Sequence, residues 1–327
     1  MKAILNKATL SRVRISTQPG GRPPAAIEIT PDGVLAAAIP SPGQPPVYAY
    51  QPLPPGALLP GIGEPNLRDA AGIAAAIKSA LDQVSPRTRS VTLVIPDTVV
   101  RVFVLDFDSL PGKPAEAFPV LRFRLRKMVP FDVEHAGLSY QILAETKTEA
   151  RVLAAVLPGP ILAEYEGAVR EAGYEPGAVL SSSLAALEAL EATKSLDALE
   201  AVLIANISPV ALTTTIANGQ DLLLYRTLDL PAEPALRLSE IRRGVAVAAA
   251  YYEDKLGARP LLLHFAGSTG AADEGSEGFA RSLEDPELDI VDLAPRPLTG
   301  AVTPLGTASV ASVTGALAPH GNRERVR

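Results

Sequence analysis

Hydrophobic and polar positions recur with two different periods along this chain, and the switches between them mark its elements. Residues 25–30 and 34–39 are short apolar runs joined by Pro31-Asp32-Gly33, a hairpin signal, and 47–51 can add a third strand. Residues 68–84 place Ala70, Ile73, Ala74, Ile77 and Leu81 at helical spacing. A buried strand is expected at 90–95, stopped by Pro96, and another strand at 99–107. Residues 119–130 fit both periods. The alternation in Val120-Leu-Arg-Phe-Arg suits a strand, but Phe118, Leu121, Leu125 and Met128 share one helical face, and we favour a helix ended by Pro130-Phe131. Strands are expected at 138–144 and 150–157. Residues 160–172 form an amphipathic helix, with Pro160 in its first turn and Gly173 just past its end. Ser182 or Ser183 caps a second helix running to about 194.

A three-strand meander comes next at 201–207, 211–217 and 221–228, its second turn being Asn218-Gly219. A helix at 238–256 closed by Gly257, a strand at 259–265, a short helix at 279–283, a strand at 288–293 and a small-residue helix at 306–317 complete the pattern. The unit of meander, helix and strand thus occurs twice, without detectable sequence repetition. This order gives two mixed-sheet α/β halves.

The length of 327 residues fits about two domains, and 47% hydrophobic against 20% charged residues is ample for a core. The absence of cysteine removes disulfides and thiolate chemistry, and only His135, His264 and His320 are available as imidazoles. A net charge of −6 excludes a strongly basic nucleic-acid footprint for the whole chain. No apolar run approaches the ~20 residues of a membrane-spanning helix, and no secretory signal is evident, so the cytoplasm is the expected location. Nine prolines between 40 and 65 exclude a helix there and suggest a long surface loop, with a proline-rich ligand segment as the weaker reading.

Three segments, in this order, resemble the PilM family of type IV pilus assembly proteins, within the actin-like (ribonuclease-H-like) fold. The first is Val94-Ile-Pro-Asp97 with Arg101-Val-Phe-Val104, Met128-Val-Pro-Phe131 and Tyr140. The second is Val152-Leu-Ala-Ala-Val156 with Glu171-Ala-Gly-Tyr-Glu-Pro176 and Ser183-Leu-Ala-Ala-Leu187. The third is the 201–228 meander. The resemblance implies a two-lobed fold: a first lobe over 1–200 with an inserted small α/β subdomain at about 90–150, a second lobe over 201–318, and a tail at 319–327. It also implies a platform protein on the cytoplasmic side of the inner membrane, bound to the N-terminal tail of a PilN-like bitopic partner. The cytoplasmic domain of the secretion protein GspL has a similar fold and a related role. Self-association stays open.

Actin-like folds bind ATP between the lobes on two hairpins that usually read Asp-x-Gly. Here the first reads Glu28-Ile-Thr30 before Pro31, and the second Asn206-Ile-Ser208 before Pro209. Glycine is lost twice, a proline removes a donor from each turn, and the second carboxylate is an amide. A third element, usually Gly-Gly, reads Ala266-Gly267-Ser268-Thr269-Gly270. Glu28, Thr30, Asn206, Ser208, Gly267 and Ser268 are therefore the nucleotide-site candidates, and a degenerate site with no catalytic residue and no metal ligand is the expectation. Weak binding of ATP and Mg²⁺ stays open, and an active actin-like ATPase or sugar-kinase-type phosphotransferase is the competing function.

Other chemistry has little support. No P-loop motif is present. His264 sits mid-strand, Ser181-Ser182-Ser183 suits a helix cap, and Asp106, Asp108, Asp132 and Glu134 are scattered loop or strand-end residues. The basic run Arg122, Arg124, Arg126, Lys127 is either a solvated helix face or a patch for anionic lipid or an acidic partner. Arg122, Phe123, Arg126 and Met128 are the candidates for gripping the tail, in a groove whose edge strands would be 90–95 and 99–107 and whose wall would be the helix 119–129.

Overall fold

The computed structural model describes residues 22–146, 148–193, 201–219, 221–268, 276–283, 285, 287–294, 300–306 and 308–318. The expectations for Thr269, Gly270, His320 and the tail lie outside them.

The chain opens with an antiparallel meander, β1 (Ala25–Thr30), β2 (Gly33–Ala38) and β3 (Val47–Pro52). Helix α1 (Ala70–Val84) is capped by Asp69, whose carboxylate accepts from Gly72 N at 2.9 Å. It lays Ile73, Ile77 and Leu81 on the sheet. Strand β4 (Ser90–Ile95) then pairs parallel to β1, and a 3-10 turn, Asp97–Val99, leaves the sheet.

An insertion interrupts the lobe at this point. It consists of β5 (Arg101–Phe107), α2 (Pro114–Leu125), β6 (Gly137–Glu145) and β7 (Ala150–Leu157), with sheet order β5-β7-β6. Side chains alternate across β7. Val152, Ala154 and Val156 meet Leu121 and Leu125 of α2, whereas Leu153 and Ala155 face the body of the protein. Helix α3 (Gly159–Glu171) returns the chain, and β8 (Glu175–Ser181) adds itself to β4. The first sheet thus runs β3-β2-β1-β4-β8. Helix α4 (Ser182–Thr193) starts where β8 ends.

The second half repeats the plan. It consists of β9 (Val202–Ile207), β10 (Ala211–Asn218), β11 (Asp221–Asp229), α5 (Pro234–Leu256), β12 (Leu262–Gly267), α6 (Ser276–Leu283), β13 (Asp289–Asp292) and α7 (Ala311–Leu317). Its sheet runs β11-β10-β9-β12-β13, the same order by position as the first. Helices α4 and α7 lie between the two sheets. Leu184, Leu187 and Leu190 of α4 share a core with the second sheet, while Val313, Ala316 and Leu317 of α7 pack on the first. Among the described residues no helix is long and apolar enough to cross a membrane.

Several boundaries differ from the sequence reading. Residues 90–95 belong to the first lobe's sheet, and the insertion comprises 101–157. Strand β8 is unexpected because it contains Pro176 and Gly177. It is an edge strand, where proline is tolerated, and its register shifts opposite Val91/Thr92. The segment 40–65 is no mere surface loop. It includes β3, and Leu53 and Leu58 beyond it are buried in the first core. Helix α2 begins at Pro114 and ends at Leu125, so Met128 falls past it and points outward rather than joining the apolar face. Helix α5 begins earlier than position 238, its N-terminal donors taken by Glu233, and α7 begins only at Ala311.

Candidate functional site

Two concave features stand out. The first is the cleft between the lobes, and all six candidates from the hairpins and the β12 end line it: Glu28, Thr30, Asn206, Ser208, Gly267 and Ser268. The tips of the two hairpins are built alike. Thr30 Oγ1 donates to Gly33 O at 3.0 Å and accepts from Gly33 N at 3.3 Å. Ser208 Oγ accepts from Ala211 N at 3.0 Å and donates to Ala211 O at 3.3 Å. Each hydroxyl thus closes its own turn, and Pro31 and Pro209 have no N–H to offer. Gly33 N, Val210 N and Ala211 N are thus taken by side-chain hydroxyls, and the two prolines supply no donor at the tips.

Gly267 has a different task from the one expected of it. Its φ is +97°, and a Cβ there would stand 1.7 Å from Ile207 O. Ser268 N donates to that same oxygen at 3.0 Å. The glycine lets β12 close against β9, with its backbone turned to the sheet rather than to a ligand. The space left in the cleft is about 60 Å³. Ligand pockets of drug-sized or nucleotide-sized molecules are on the order of 300–1,000 Å³. These residues do not fit a bound nucleotide.

Beneath the cleft lies a polar network that the sequence reading missed. The carboxylate of Asp97 collects five donors. Oδ1 accepts from Ser183 N at 3.0 Å and from the Tyr225 hydroxyl at 3.0 Å. Oδ2 accepts from Thr213 Oγ1 at 2.9 Å, from Asn206 Nδ2 at 3.4 Å and from Ser183 Oγ. Two carboxylate oxygens offer about four lone-pair sites, so this one has nothing left for a metal-bound water. Asn206 Nδ2 also reaches Ser182 Oγ at 3.0 Å and Ser183 Oγ at 2.9 Å. An aspartate at position 206 would set a second buried carboxylate against Asp97, so the amide here is a structural choice. Burial, then the charge of Asp97, pushes the Tyr225 phenol well above its ordinary range and keeps it a donor. Ser182 and Ser183 open α4, as a cap reading suggests, but their hydroxyls serve the network. Asp97 could have been suspected from its place, one residue past the proline that stops a buried strand.

Glu28 is held beside this network. Ser182 Oγ donates to Oε1 at 2.7 Å, and Ser312 Oγ of α7 donates to Oε2. Burial raises the Glu28 carboxyl above its ordinary value near 4.5, the two hydroxyls pull it back, and the Asp97 charge pushes it up again. The unfolded chain therefore releases this proton at lower pH than the folded one, and folding is penalised above that point. Glu28→Gln is expected to stabilise the protein at neutral pH. The gain should shrink as pH falls through the window between the raised value and 4.5, and vanish below it. Urea unfolding at pH 7.5 and pH 4 checks this, and equal effects at both would contradict it.

The second feature is a groove of about 260 Å³ between the first lobe and the insertion. One side is β8 from Pro176 to Ser181, and the other is the start of β6, Gly137 to Ser139, with Leu157 and Leu162 at the floor and rim. Both β8 and β6 are edge strands, so unpaired backbone groups of two sheets face one slot. Strand β4, expected as an edge, is interior. Helix α2, expected as the wall, covers the opposite face of the inserted sheet, as the alternation along β7 requires. The four tail-gripping candidates lie elsewhere accordingly. Arg122 donates to Val133 O and Ala136 O at its own subdomain's turn, and Arg126 pairs with Glu134. Phe123 and Met128 are exposed outside the groove.

Among the described residues, no three His, Asp or Glu side chains are grouped as a metal site would need. His264 is buried within β12.

No family model matches this sequence, and no curated protein matches it. Among solved structures the chain is similar to a chain of the PilM–PilN type IV pilus biogenesis complex, at 18% identity, covering 90% of this chain and 97% of that one with a TM-score of 0.71. It is also similar to the cytoplasmic domain of EpsL, an inner membrane component of the type II secretion system of Vibrio cholerae, at 12% identity over 74% of this chain and 81% of that one, TM-score 0.46. A Bacteroides thetaiotaomicron protein with an actin-like ATPase fold gives 14% identity over 89% and 94%, TM-score 0.48. Together with the two sheets of matching strand order and the cleft between them, the first of these likenesses establishes that the chain has the actin-like fold and spans nearly the whole of the pilus-complex chain it matches.

Proposed function

We propose that this protein is a non-catalytic platform component of a type IV pilus or related secretion assembly, and that it captures the extended N-terminal tail of a PilN-like bitopic partner in the groove between β6 and β8. The observation that carries this reading is the groove itself. Two sheet edges and an apolar floor are what strand addition uses, main-chain hydrogen bonds giving affinity and side-chain pockets giving selectivity. Capture of such a tail would hold the chain at the cytoplasmic side of the inner membrane. The closed hairpin tips, the saturated Asp97 and the small cleft support a protein that turns over no ATP.

The test is fluorescence anisotropy with a labelled N-terminal peptide from a PilN-like bitopic protein of the same organism. Binding is expected, and Ser139→Arg, which fills the groove from β6, should weaken it by about tenfold or more. Phe123→Ala, outside the groove, should leave it unchanged. Loss with Phe123→Ala but not with Ser139→Arg would move the site to α2, and no binding by the native chain would remove the reading. The same preparation with ATP and Mg²⁺ is expected to release phosphate no faster than buffer alone.

A further inference from the structure

The outer side of α2 faces neither the groove nor the lobes. Its buried stripe is Ala117, Leu121 and Leu125, so position 123 falls on the opposite side of the helical turn. Phe123 is 69% exposed there, the one exposed aromatic side chain among the described residues, and Met128 in the turn after the helix is 41% exposed. Arg124 and Lys127 stand beside them, exposed and in no ion pair among the described residues. The nearby acids are engaged, Glu134 with Arg126 and Glu116 with Lys113 at 3.7 Å. A protein of net charge −6 therefore carries, on the outer side of α2 and the turn after it, two exposed apolar side chains beside two cations in no ion pair among the described residues.

We propose that this face of α2, with the turn after it, is an interfacial contact for an anionic lipid surface. Phe123 and Met128 would enter the headgroup boundary, while Arg124 and Lys127 meet lipid phosphates at its level. Charge complementarity selects an anionic occupant, and shape selects a membrane over an acidic peptide. Peptide capture needs a concave slot or an open strand edge, and this face offers neither. A soft, flat surface accommodates a convex helix. Each cation at such a surface contributes on the order of fivefold in binding, so the contact orients a chain already near the membrane rather than anchoring it. Such contact uses only α2 and the turn after it and does not require tail capture in the groove.

Co-sedimentation of the full chain, without peptide, tests it against vesicles of phosphatidylcholine and of phosphatidylcholine with about 30% phosphatidylglycerol. Binding is expected to the anionic vesicles, weakening as salt rises. The double variant Arg124→Glu, Lys127→Glu should lose at least about thirtyfold, and Phe123→Ser should weaken binding at both low and high salt. All three positions are exposed, so unfolding midpoints should match the native chain. The pair Arg124→Lys, Lys127→Arg should bind as the native chain does. Equal binding to both vesicle types, no binding to either, or retention by the charge-reversed variant would each overturn the proposal. So would tighter binding to an immobilised poly-glutamate peptide than to anionic vesicles, which would assign the face to an acidic protein.

Discussion

Asp97→Ala is expected to lower the stability of the fold by about 3–5 kcal/mol, measured by urea unfolding. The size comes from the groups the carboxylate would leave behind. Ser183 N–H, Thr213 Oγ1 and the Tyr225 hydroxyl all donate to it, from both lobes. An alanine would take that acceptor from each, leaving Thr213 Oγ1 with Thr227 Oγ1 at 3.0 Å and the Tyr225 hydroxyl with Ser181 Oγ at 3.3 Å. Losing a buried partner costs roughly 1–3 kcal/mol per stranded group, reduced where groups re-pair, as Ser183 and Asn206 can. Asp97→Asn keeps the shape and one acceptor oxygen and should cost less than alanine does. A cost below about 1 kcal/mol for alanine would mean that the network is incidental to joining the lobes.

Gly315→Ala separates two rules that give opposite signs. Helix propensity alone predicts a gain of about 1 kcal/mol for this change inside α7. The packing predicts the reverse. A Cβ on residue 315 would stand 1.8 Å from Ala185 O and 2.7 Å from Ala189 N, both backbone atoms of α4 that cannot swing aside. The helices would have to part, and Arg22, which donates to Gly315 O at 3.2 Å while pairing with Glu188 of α4, would lose its geometry. We expect a net loss of about 2–3 kcal/mol, read as a lower urea midpoint at unchanged slope. A gain would show that α4 and α7 separate at no cost.

Much of the architecture was legible because it rests on short-range pattern. The two meanders alternate or run apolar, Asn218-Gly219 marks its turn, and the Pro160/Gly173 pair brackets α3. The meeting of Glu28, Thr30, Asn206 and Ser208 was legible only through the resemblance to a fold whose two hairpins face one cleft. What escaped depends on contacts between distant segments. Asp97 is a polar residue after a strand until Thr213 and Tyr225 arrive from the other lobe. Ser182 and Ser183 fit a cap by residue type and place, so nothing local asks for their hydroxyls to reach Glu28 and Asp97 instead. Strand β8 hides behind Pro176 and Gly177, and without it β4 looks like an edge and the groove falls in the wrong place. Arg122 sits in a run of four cations, yet its guanidinium is spent on two carbonyls of its own subdomain.

The return of α7 to the first lobe also bears on how the protein is made. Ser312 and Glu28, 284 positions apart, share a hydrogen bond, and Tyr48 N donates to Gly300 O at 2.8 Å while Val302 N donates back to Tyr48 O at 2.8 Å. The helix that covers β1 and β2, and the segment that shields the β3 edge, are thus made only after the whole second sheet. During synthesis the nascent first sheet has an open apolar face and an unpaired rim until the second sheet has been made. Segments with that exposure are where chains wait for chaperones or stick to one another. The two halves, alike in plan, are consequently not two independent folding units. The first cannot finish until the second is complete.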